Sequence, residues 1–167
     1  MIRDISTEEF NLKVSLKFNN ILEGYNKFKV IELYPNNKVK DGEVAYISLI
    51  REIFEKDKAL IIDFYKNNLS EESINFIKEN IDLKDNILLN EILNKDSGDR
   101  IYFEIQNEKY LDLLTKLNTR ELFFVTFYFY KSNITIWGNY NMKFPLFYEN
   151  NDKVDEYLNI AKSKNLL

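Results

Sequence analysis

The run from Leu122 to Tyr130 is the longest apolar stretch in the chain, nine residues interrupted only by Thr126. A helix that crosses a bilayer needs roughly twenty apolar residues, so this run is about half long enough. Being apolar on both faces, it predicts a β-strand near the centre of a sheet. Residues 59–65, Ala-Leu-Ile-Ile-Asp-Phe-Tyr, read as a second buried strand, short and rich in β-branched and aromatic side chains.

Helices to cover such a sheet are also visible. Residues 43–56 place Val44, Ile47, Ile50 and Phe54 on one face, with Ile53 beside them and Arg51, Glu52 and Glu55 outside. Ser70 reads as the N-cap of a helix running through Ile74, Ile77 and Ile81, its first turn carrying Glu71 and Glu72. Short helices are expected over 87–93 and 110–117. A last one over 154–161 has Asp152, Asp155 and Glu156 early and Lys162 and Lys164 late, matching the helix dipole.

Further strands are expected over 28–34, ended by Pro35-Asn36-Asn37, and over 100–106, after a turn at Asp96-Ser97-Gly98-Asp99. Lys131-Ser132-Asn133 turns the central strand into a hairpin with residues 134–137.

Two segments pull in different directions. Ser6 and Glu9 have capping-box spacing, yet Leu12, Val14, Leu16 and Phe18 alternate with polar residues, so a strand is expected over the second half of this segment. Residues 137–148 crowd Trp137, Tyr140, Phe144, Phe147 and Tyr148 around Gly138 and Pro145. They read as a loop that either anchors a partner or covers the end of the core. Because strands and helices do not alternate regularly, the expected architecture is a single α+β domain over residues 1–167, mostly antiparallel sheet with helices packed on it.

Composition excludes several chemistries. Cysteine and histidine are both absent, which removes thiolate nucleophiles, zinc-thiolate sites and imidazole-based triads. Four widely spaced glycines give neither dinucleotide nor P-loop cradle. Residues 96–104 carry acids around Gly98 without the spacing of a calcium loop. No cofactor and no metal are expected. Residues 1–10 are charged and polar rather than apolar, unlike a signal peptide, so a soluble, cytoplasmic protein without membrane contact is expected. Scarce Ala and Arg against abundant Ile, Lys and Asn suit an AT-rich, bacterial coding sequence.

Charge is distributed unevenly. Residues 41–99 hold seven basic and fourteen acidic side chains, whereas 1–40 carry a net +2 and 100–167 a net +1. The acidic middle and the shortage of Arg argue against duplex nucleic acid. Lys13, Lys17, Lys27 and Lys29 among Phe18, Tyr25 and Phe28 are better read as a mixed sheet surface than as a single-strand binding patch. Outward carboxylates on the central helices would instead draw a basic protein partner.

The leading expectation is therefore a non-enzymatic protein-binding protein. It would act as an immunity or inhibitor protein that neutralises a basic bacterial toxin or nuclease through an acidic surface. The candidate partner-binding residues are Glu52, Glu55, Glu71, Glu72, Glu79, Asp82, Asp85, Trp137 and Tyr140. The alternatives are a small carboxylate- or Tyr/Lys-dependent enzyme, with Asp63 in its apolar run as one candidate base, or a phage-derived or structural accessory subunit.

Overall fold

The computed structural model describes residues 1–167, with side chains throughout except at 151–153. Its strands are β1 (Ile2–Ile5), β2 (Lys29–Leu33), β3 (Leu60–Asp63), β4 (Tyr102–Ile105), β5 (Thr126–Phe129), β6 (Ile134–Trp137) and β7 (Phe144–Tyr148). Its helices are α1 (Thr7–Lys13), α2 (Ile21–Lys27), α3 (Gly42–Asp57), α4 (Glu71–Glu79), α5 (Leu83–Leu93), α6 (Leu111–Thr119) and α7 (Asn151–Ser163). All registered strand pairs are antiparallel, in the order β1-β4-β3-β5-β6-β7-β2. This is an α+β fold. Among the described residues, no helix is long and apolar enough to cross a membrane.

Strand periodicity divides the core in two. Leu60, Ile62, Phe127, Phe129, Ile134 and Ile136 point to one face and join the main core with residues of α3, α5, α6 and α7. Their alternates turn to the other face. There Ile61 and Tyr128 meet Phe10 and Val14, and Phe147 meets Leu16 and Phe18. A sheet covered on both sides explains why β3 and β5 have no polar face, and β5 is the fourth of seven strands, as its sequence implies.

Helix starts follow the caps. The hydroxyl of Ser70 accepts the Ser73 N–H at 3.1 Å. Ser70→Ala is expected to cost about 1 kcal/mol in denaturant unfolding. A loss below roughly 0.3 kcal/mol would show that the cap is idle. Ser6 likewise accepts the Glu9 N–H at 3.1 Å. The expected capping box is only half formed, however, because the Glu9 carboxylate turns to Arg3 at 2.5 Å and to Lys13 at 3.0 Å. The Arg3 hydrogen bonds, with help from Lys13, hold the Glu9 carboxyl down at about 2.

Several local expectations are corrected. Residues 12–18 are no strand: Leu12 and Lys13 complete α1, and the following segment crosses the second face of the sheet without pairing. The alternation was a true burial signal. Val14, Leu16 and Phe18 are buried there, and Thr135 bonds the Leu16 carbonyl at 2.8 Å.

Residues 144–148 are not loop but strand β7, lying between β6 and β2. Pro145, which has no N–H to donate, falls one residue outside the β6 register, opposite Glu32 of β2. Residues 2–5, read as polar, form an edge strand in which Arg3 lies opposite Glu104 and binds it at 2.7 Å. Helix α5 begins four residues before the expected start, because Asp82 caps it through the Asp85 N–H at 2.9 Å. Asp152 of the last helix lies outside the described side chains.

Candidate functional site

The acidic candidates fall into two groups once their neighbours are known. Glu52 pairs with Lys164 at 2.9 Å and Glu55 with Lys58 at 2.8 Å, both on the outer side of α3. Asp82 binds Lys116 at 3.0 Å, and Asp85 is buried against the same ammonium. The Asp85 N–H and Lys116 hold the Asp82 carboxyl down at about 2. These four acids are neutralised within the fold, and two of them fasten α5 to α6.

Glu71, Glu72 and Glu79 differ. All three project from α4 into solvent, and no ion pair engages them among the described residues. With Asn75, Phe76 and Leu122 they line a groove of about 700 Å³. Glu72, Phe76 and Glu79 recur at i, i+4 and i+7, so they form one stripe along α4. Phe76 is 56% exposed, an unusual position for a large aromatic on a helix whose other face, Ile77, is fully packed.

The segment 120–124 brings Leu122 to the opposite side of the groove and is held on several sides. Its Arg120 binds Glu43 of α3 and the Asn80 carbonyl just past α4. Glu121 accepts the Asn141 N–H at 2.7 Å. Phe124 receives Tyr140 edge-on, with ring centroids 4.8 Å apart. Tyr140, 61% exposed, is thereby joined to the same segment through Phe124. Trp137 goes elsewhere: it stacks on Phe18 at 5.3 Å on the α2 side of the sheet. Phe144 and Phe147, also in the aromatic stretch, are buried.

Sequence reasoning missed Phe76 and Leu122. A signal for the first was present, because Phe76 lies out of phase with the Ile74, Ile77, Ile81 face. For Leu122 there was none, since it belongs to the same apolar run as β5.

Asp63 is buried at the end of β3. One carboxylate oxygen accepts the Thr126 N–H at 2.7 Å, and the other takes a longer contact of 3.4 Å from the Tyr128 hydroxyl. Burial pushes its carboxyl up to about 6 despite these donors. Tyr102 beside it is pushed up to about 12, by burial first and then by Tyr65 and Asp63. Among the described residues no group of three or more carboxylates converges to hold a metal ion. Comparison with family models, with curated proteins and with solved structures gave no match. The functional reading therefore rests on the geometry of the molecule itself.

Proposed function

We propose that the protein is a non-enzymatic binding protein that holds a basic segment of a protein partner in the α4 groove, in the manner of an immunity or inhibitor protein acting on a basic toxin or nuclease. The observation that supports this reading is the composition of the groove: three glutamates without internal cations around an exposed phenylalanine. An aromatic anchor bordered by unpaired charge of one sign gives both contact area and electrostatic selection. The paired acids of α3 and α5 contribute little, because their fields are already compensated nearby.

The test is binding to the product of the gene beside the protein's own, expected to be a basic toxin or nuclease. Reversal of two groove charges, Glu72→Lys with Glu79→Lys, is expected to weaken binding about tenfold or more. The parent should lose affinity as salt rises from about 50 to 500 mM, as the Debye length shrinks. Glu52→Lys with Glu55→Lys is the control and should leave affinity within about twofold. Binding that ignores both salt and the groove reversal would remove the basis of the proposal.

The pushed-up carboxyl of Asp63, in the field of Tyr65, Tyr102 and Tyr128, favours a second reading, a carboxylate- or tyrosine-dependent enzyme. It ranks below the first because the acid is buried and spends its oxygens on the fold.

A further inference from the structure

We infer that the groove takes an amphipathic α-helix of the partner, carrying Lys or Arg at two positions seven residues apart with a leucine-sized residue midway. This rests on the binding reading above and specifies its ligand.

Backbone hydrogen bonding favours a helix as the occupant. A peptide bound as an extended chain must find partners for its own N–H and C=O groups, normally at a sheet edge. Neither wall of this groove is a strand. Along α4 the main-chain N–H groups from Ser73 onward are bonded within the helix or to its cap, those of Ser73 and Ile74 going to Ser70. On the other wall, the N–H groups of residues 120–123 are spent on the end of α6. Arg120 bonds the Lys116 carbonyl, Glu121 that of Asn118, and Leu122 and Phe123 that of Leu117. A segment lying here meets side chains and no strand edge, which favours a ligand that satisfies its own backbone, as a helix does.

Charge spacing sets the pattern on that helix. Glu72 and Glu79 are two turns apart on α4, about 10.5 Å along its axis at 1.5 Å per residue. A helix lying alongside has the same rise, so cations at i and i+7 meet both carboxylates. The residue at i+3 or i+4 then faces Phe76 and Leu122 between them. Glu71 adds a third carboxylate at the α4 N-terminal end, and no cation lines the groove to oppose a basic ligand.

Three labelled synthetic peptides of identical length test this. One has Lys at positions 3 and 10 and Leu at 6 and 7. The second permutes the same residues so that the lysines are five apart, and the third replaces a central residue by proline. In anisotropy titrations with the full chain, the first should bind at least tenfold more tightly than the others and gain helical circular dichroism on mixing. Phe76→Ala, or Glu72→Gln with Glu79→Gln, should each weaken it about tenfold; these side chains are exposed, so the fold is retained.

Equal binding of all three peptides would overturn the helix inference while leaving an acidic groove that selects charge alone. Failure of all three, with the natural partner still lost on groove reversal, would overturn it too and leave the binding reading standing. Self-association of the protein that Phe76→Ala abolishes would assign the groove to a second copy and overturn it as well. A natural partner indifferent to groove reversal would instead sink the reading beneath it.

Discussion

Asp63→Asn is expected to be more stable than the parent by about 3 kcal/mol above pH 7, with the gain vanishing below about pH 4. The Asp63 carboxyl is raised from 3.8 to about 6 by burial at the end of β3. The folded protein therefore holds this proton more tightly than the unfolded chain does. Below the unfolded value both states are protonated and nothing is lost. As pH rises through about 6, the folded state must ionise a group that its surroundings disfavour. At 1.36 kcal/mol per pKa unit the displacement corresponds to about 3 kcal/mol. Asparagine keeps an oxygen for the Thr126 N–H and an amide for the Tyr128 hydroxyl, without the charge. Urea unfolding of both proteins at pH 4, 5.5 and 7.5 checks the difference, which cancels the opposing titration of surface carboxylates. A parent as stable as Asp63→Asn at pH 7.5 would mean that the acid is solvated or paired, contrary to its enclosure.

The second large effect has the opposite sign. Asn118, at the end of α6, is completely buried and treats one residue as a strand partner would. Its Oδ1 accepts the Val125 N–H at 2.8 Å, and its Nδ2 donates to the Val125 carbonyl at 2.9 Å. The amide thus extends the hydrogen bonding of the central strand where no neighbouring backbone reaches.

Asn118→Ala leaves a buried donor and a buried acceptor without partners, at about 1–3 kcal/mol each, and opens a small void. The expected loss is about 4 kcal/mol, or roughly 10 °C in Tm for a chain of this size. Asn118→Asp retains the acceptor but at pH 7 sets a buried carboxylate against the Val125 carbonyl, so it should cost at least as much as alanine and recover as the pH falls. Gly138 reports the same constraint, since a Cβ there would meet the Asn118 Oδ1 at 2.4 Å. A loss under about 1 kcal/mol for Asn118→Ala would show that the Val125 groups find other partners.

How much was legible beforehand depends on how local each signal is. The helix from Ser70 was readable because cap, first-turn acids and a 3.6-residue apolar period lie within one short window. The loop of residues 14–20 was not. Val14, Leu16 and Phe18 are buried with strand periodicity, but pairing depends on a neighbour that no local pattern specifies. Strand β1 failed for the converse reason: Arg3 and Asp4 look like surface until Glu104 and Arg100 arrive from distant segments.

The chain itself determined which residues need burial, where the helices begin and that an acidic surplus sits in the middle third. Only the tertiary structure decided which of those acids remain free. Lys58, Lys116 and Lys164 compensate four of the seven acidic candidates, two of these lysines coming from beyond the acidic third. Phe76 and Leu122, 46 residues apart in sequence, line one groove with the other three. Charge is a property of composition, but field is a property of distance, and distance is set by the fold.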